Sequence, residues 1–201
     1  MILMKNIIRE GHKTLETVAK EVKLPLTQAD KKLLKEMLEY VIHSQDNEMV
    51  EKYGLRPAVG LAAPQVNVSK RMFACHVTDF DGTLYSYAMV NPVLKEKSKS
   101  LIYVPGGEGC LSVDRDTEGL TPRYETVSFV GLAYDIQSDQ LIPVELHLEG
   151  YVGIVFQHEY DHINGIMYTS KLFKELPNAK PAFEFIQSED DLEDEIEDAL
   201  T

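Results

Sequence analysis

The stretch Gln157-His158-Glu159-Tyr160-Asp161-His162 decides how this chain is read. His158 and His162 are four residues apart, so on a helix both imidazoles share one face, one turn apart. That spacing suits two ligands on a single metal ion, with Glu159 beside them as a general base. The same pair also reads as two rings that are merely packed or solvated, so support is needed from elsewhere in the chain. A helix is expected from Tyr151 to Ile163. It contains no proline, and Val152, Val155, Phe156 and Ile163 fall near a 3.6-residue period. Aliphatic residues on several sides of it predict a helix sunk in the core.

Just upstream, Ile142, Val144, Leu146 and Leu148 alternate with Glu145, His147 and Glu149. This predicts a half-buried strand feeding the helix, with His147 on its polar face. Downstream, Asn164-Gly165 supplies a C-cap, and Met167 to Phe173 is expected to pack back on the core.

The third ligand is sought in Gly106-Gly107-Glu108-Gly109-Cys110-Leu111-Ser112. Three glycines in four residues make an irregular backbone from which Cys110 emerges. A thiolate complements two imidazoles on one ion, and the Leu111 N–H is a candidate to face the open side. Alone, the cysteine reads as inert in a glycine loop; the two histidines reverse that preference. In Ala58-Val59-Gly60-Leu61-Ala62-Ala63-Pro64-Gln65, small residues allow close backbone approach. Gln65 then offers two amide N–H donors. The stretch reads either as a tight turn or as a ledge with a donor aimed at a reacting oxygen.

The rest of the chain reads as scaffold. An N-terminal arm holds a short helical piece, Thr14 to Val22, which Pro25 interrupts. Thr27 and Asp30 resemble a helix cap. Leu33, Leu34, Met37, Leu38, Val41 and Ile42 then form a helical stripe ending near Ser44. Arg71 to Val77 and Leu84 to Val90 are strands joined at Asp81-Gly82, with Asn91-Pro92 ending the hairpin. Cys75 reads as a buried structural thiol and His76 as its exposed neighbour. Leu101 to Val104 is a short strand, 116–125 is loop, Thr126 to Tyr134 is a strand interrupted by Gly131, and Asp135 to Asp139 is a turn.

The charge of the chain narrows its partners. The net charge is −13, but residues 181–201 hold nine acids and no base, which leaves 24 acids against 20 bases in residues 1–180. The body is nearly balanced, and the excess argues against generic nucleic-acid binding. No apolar run approaches a membrane span, and the N-terminal apolar run is too short for a signal peptide. With only Cys75 and Cys110, a disulfide framework is not expected and a cytoplasmic location is. One domain is expected over 1–180, followed by an acidic tail over 181–201. The spacing of Leu192, Ile196, Ala199 and Leu200 there suits a marginal helix or disorder.

With three motifs quoted, the sequence closely resembles peptide deformylase. These are a small-residue stretch ending in Ala-Ala-x-Gln (Gly60 to Gln65), Glu-Gly-Cys-Leu-Ser (Glu108 to Ser112) and Gln-His-Glu-x-Asp-His (Gln157 to His162). The similarity runs from about residue 5 to Phe173. The long stretch between the first two motifs resembles the Gram-positive, longer-loop subtype. The resemblance implies an α+β fold, with small antiparallel and mixed sheets around a central metal-binding helix. It implies removal of the formyl group from the N-terminal formylmethionine of new polypeptides, near the ribosome but without direct nucleic-acid contact.

It also implies roles. Cys110, His158 and His162 would be metal ligands, with Fe2+ the expected ion and Zn2+ or Ni2+ able to occupy the site. Glu159 would be the general base, and Gln65 and the Leu111 N–H the oxyanion donors. The main chain at Val59, Gly60, Leu61 and Gly109 would hold the peptide as an added strand. Ile154 and Val155, with Val59, would line the methionine pocket. Ala58 stands where the family usually has glycine, residues 116–150 follow the family loosely, and Arg123 is a candidate for its basic position there. Some relatives carry a basic C-terminal extension that contacts the ribosome; this acidic tail has the opposite sign. Two rivals remain at this point, a zinc peptidase with the same helix motif and a non-catalytic relative that binds peptide N-termini. A peptidase would take its third ligand downstream, where no histidine follows His162.

Overall fold

Helix α1, Gln28–His43, starts where the cap was expected. Thr27 Oγ1 accepts from the Asp30 N–H and Asp30 accepts from the Thr27 N–H, so two orphan donors are satisfied reciprocally. A second, shorter helix, α2 (Asn47–Tyr53), was not read from the sequence. Asp46 caps its start, and Gly54, at φ 61°, ends it. The computed structural model describes residues 1–184, so the expected tail helix lies outside the described residues.

Eight strands follow in two sheets. The larger is antiparallel in the order β1 (Gly60–Ala62), β2 (Met72–Thr78), β3 (Leu84–Lys97), β6 (Thr126–Asp135), β7 (Gln140–Glu149). The smaller is mixed: β4 (Leu101–Tyr103) pairs antiparallel with β5 (Arg123–Tyr124) and parallel with β8 (Ala179–Pro181). Helix α3, Gly150–Ile163, carries the histidine pair.

The β2 strand explains how the layers stack. Met72 and Ala74 face a cluster with Leu34, Met37 and Val41 of α1, while Phe73, Cys75 and Val77 face a cluster with Val152, Val155 and Phe156 of α3. Covered on both faces, the strand buries Met72 to Cys75 and Val77, so it reads as a nearly continuous apolar run. Phe156 meets Phe73 edge to face, with centroids 5.7 Å apart. Ten of the fourteen α3 residues are buried, as its all-round aliphatic pattern predicted.

Several expectations are corrected. Thr14 to Val22 is not helical: a 3-10 turn covers Lys13–Glu16, and Lys20 then bridges to Lys70 in extended backbone. Asn91-Pro92 does not end β3. Asn91, at φ 49°, forms a bulge, its side chain bonds both Val22 N–H and Val22 C=O, and pairing with β6 resumes at Val93. Gly131 does not interrupt β6 but sits against that bulge, where an added Cβ would lie 3.1 Å from Pro92 Cα. His76 is half-buried, its Nδ1 2.9 Å from Ser86 Oγ. Ile142 is exposed, while Val144, Leu146 and Leu148 turn inward as expected.

Candidate metal centre

The helix delivers the two imidazoles together, their centroids 4.8 Å apart. The loop after β4 brings Cys110 to them: its Sγ lies 3.4 Å from His162 Nε2. One ligand atom from each of Cys110, His158 and His162 can be chosen so that all lie within 4.8 Å of one another. His158 Nδ1 contacts Glu108 Oε2 at 2.8 Å, which commits that nitrogen and turns Nε2 towards the cluster. The donors fit a divalent transition ion, one thiolate and two imidazoles converging on a point. Burial pushes the His162 imidazole well below its usual range, with His158 and Arg123 adding to the effect.

Glu159 stands beside the cluster, 4% exposed, with Oε2 lacking any hydrogen-bond partner. Burial pushes its carboxyl up to about 7, against the pull of His158 and Arg123. Gln65 is held on the far side by the 3-10 turn Ala63–Val66: its Oε1 accepts from the Ala62 N–H at 2.8 Å. Its Nε2 makes two long contacts, 3.4 Å each, to Cys110 Sγ and Ser112 Oγ. Among the described residues nothing accepts from the Leu111 N–H.

These groups open onto a cleft of about 430 Å³. Val59, Gly60, Gln65, Gly109, Cys110, Leu111, Ile154, Val155, His158 and Glu159 all line it, as do Ala58 and Arg56. Leu61 and His162 do not line the cleft; they are buried behind its wall. Ala58 turns its polar backbone away: its C=O accepts from Ser44 Oγ and Gln45 Nε2, both at 3.1 Å.

Sequence reasoning named Arg123 as a candidate basic position but did not give the partners that let it hold the helix. Arg123, 3% exposed, grips Glu108 in a bidentate pair at 2.7 and 2.8 Å and also contacts Asp161. Lys171 completes the set on Asp161 at 2.8 and 2.9 Å. Burial works against the Glu108 charge, but Arg123 and His158 outweigh it and bring its carboxyl down to about 2. The available signal was an acid inside a buried helix, Asp161, and another inside a glycine loop, Glu108; buried carboxylates demand partners.

A cluster of one cysteine and two histidines that could hold a metal ion, flanked by a buried carboxylate at an open cleft, has the groups a metal-dependent hydrolase needs. The chain belongs to the polypeptide deformylase family, whose model matches residues 4–177. It is 52% identical over 181 residues to peptide deformylase 2 of Bacillus cereus, covering 90% of this chain and 96% of that protein. It is 53% identical over 172 residues to peptide deformylase 2 of Geobacillus stearothermophilus, covering 86% and 91%. Among solved structures it resembles the Met-Ala-Ser-bound class I type b peptide deformylase of Acinetobacter baumannii. That match has a TM-score of 0.62 and 28% identity, over 83% of this chain and 96% of that one. The expected fold and family are thereby borne out, and nothing favours the two rival readings.

Proposed function

We propose that this chain hydrolyses the N-formyl group from the N-terminal formylmethionine of new polypeptides, releasing formate. Cys110, His158 and His162 hold one divalent ion, natively Fe2+, with Zn2+ or Ni2+ able to take the same donors. When bound, such an ion lowers the pKa of water and polarises a carbonyl oxygen. Glu159 takes a proton from the attacking water and returns it to the departing amine, so that R–NH–CHO and water become an amine and formate. Gln65 Nε2 and the Leu111 N–H stabilise the oxygen that gains charge. The main chain at Val59 to Leu61 and at Gly109 pairs with the peptide as an added strand. Val59, Ile154 and Val155 receive the methionine side chain. One catalytic domain spans 1–180.

The observation that carries this reading is the meeting of Cys110, His158 and His162 at the wall of a cleft that Glu159 also lines. The cleft is a suitable groove for a peptide such as the Met-Ala-Ser tripeptide bound by the Acinetobacter relative. Work in the cytoplasm near the ribosome, without contact to nucleic acid, accords with the net charge of −13 and with two unpaired thiols. No helix of the described residues is long and apolar enough to cross a membrane. The test is anaerobic assay of formate release from formyl-Met-Ala-Ser, with elemental analysis of the same sample. Absence of formate from protein carrying one equivalent of Fe2+ overturns the reading.

A further inference from the structure

The Arg56 side chain crosses from the segment that leads into β1 to the loop that carries Cys110. Its Nη2 lies 3.3 Å from the carbonyl oxygens of both Cys110 and Val113, and its Nη1 donates to Asp114 Oδ1 at 2.8 Å. Asp114 is held in turn by Arg9, whose Nε donates to Oδ2 at 2.6 Å. The Cys110 carbonyl also accepts from the Val113 N–H at 3.1 Å.

That carbonyl belongs to the peptide unit whose other end is the Leu111 N–H. In a planar trans peptide the C=O and N–H point in opposite directions. Two donors that hold the Cys110 oxygen from behind therefore set the direction of the Leu111 N–H in front. A guanidinium on the carbonyl also draws electron density from the amide and strengthens its N–H as a donor. We infer that Arg56 is a positioning residue, which aims the Leu111 N–H at the reacting oxygen by clamping the Cys110–Leu111 peptide plane, with Asp114 anchoring the clamp. This inference rests on the role assigned above to the Leu111 N–H. The fork matters as well as the charge, because Arg56 reaches two carbonyls and a carboxylate at once, which a lysine ammonium does not match.

The experiment compares wild type with Arg56→Ala, Arg56→Lys and Asp114→Asn. It reads kcat and KM on formyl-Met-Ala-Ser, metal content, and the Leu111 amide resonance in 15N-labelled, zinc-loaded protein. Arg56→Ala is expected to lower kcat by about 10-fold to 100-fold, less than outright loss of an oxyanion donor. Its KM and metal content stay near wild type, and its Leu111 resonance moves. Free guanidinium at sub-denaturing concentration restores part of kcat. Arg56→Lys recovers less than guanidinium does, and Asp114→Asn, which keeps the arginine, lowers kcat by roughly 3-fold to 10-fold. A raised KM with unchanged kcat, an unmoved Leu111 resonance, or wild-type kcat in Asp114→Asn overturns the assignment. Wild-type protein that releases no formate refutes the parent reading instead, and the two failures are thereby separable.

Discussion

Gly60 and Glu159 are in such close contact that the strand leaves no room for a side chain. A Cβ built on Gly60 would lie 2.3 Å from Glu159 Oε1, 2.6 Å from its Cδ and 2.8 Å from its Cγ. The glycine is there for space, not for a left-handed backbone, so alanine is conformationally acceptable but sterically excluded. Gly60→Ala is expected to push the carboxylate aside and cut kcat/KM on formyl-Met-Ala-Ser by about 10²-fold or more, the scale of a lost general base. Metal content should be unchanged, which elemental analysis checks. Wild-type turnover would show that Glu159 tolerates the shift.

Glu159 itself carries a buried Oε2 with no partner, a cost to folding. Glu159→Ala should therefore abolish nearly all turnover while keeping the metal, with a melting temperature equal to or above that of wild type. Calorimetry beside the formate assay decides this. Loss of the metal in the variant would mean that Glu159 is structural.

Arg123 separates Glu108 from Asp161 in the interior. Arg123→Ala leaves two buried carboxylates with one cation, Lys171, at the edge, and should cost about 3–5 kcal/mol in urea unfolding. Glu108→Gln keeps the size but weakens the hold on His158 Nδ1. Its affinity for Zn2+ should fall roughly 10-fold to 100-fold in competition with a chromophoric chelator. Unchanged affinity would show that His158 is oriented by the helix alone.

Far from the cleft, Asp30 offers a pH test of the fold. Burial raises its pKa, but hydrogen bonds from Lys70 and Thr27 outweigh burial and hold it below its ordinary value. A depressed carboxyl contributes stability that is present above the unfolded pKa, near 3.8, and is lost as pH falls through the folded value. Asp30→Asn should lower stability at pH 7 and flatten the acid limb of the stability curve. Thr27→Ala should cost about 1 kcal/mol through the lost cap. Urea midpoints across the acid range report both effects.

The parts of this molecule legible in the sequence are the local ones. The α1 cap and the four-residue spacing of His158 and His162 depend on neighbours within a turn and appear as expected, while the α1 stripe buries Leu34, Met37 and Val41 but leaves Ile42 exposed and takes in Tyr40 instead. Strand continuity was misread where a distant group intervenes. Asn91-Pro92 looks like a stop, yet Val22 captures the Asn91 side chain and lets β3 run on to Lys97. Gly131 looks like a break, yet it packs closely against the resulting bulge, where a Cβ would lie 3.1 Å from Pro92 Cα.

By itself the amino-acid sequence determined which atoms are available: a thiol from a glycine loop, two imidazoles on one helical face, and a carboxylate between them. The tertiary structure alone decided that Arg123 neutralises Glu108 and Asp161, 15 and 38 residues away, and that Arg56 reaches the Cys110 carbonyl, 54 residues on. The reason is physical. Helix periodicity and capping are short-range and leave a mark in the spacing of residues. The partner of a buried charge is chosen by whichever opposite charge the packed layers bring within hydrogen-bond reach, and no spacing along the chain encodes that distance.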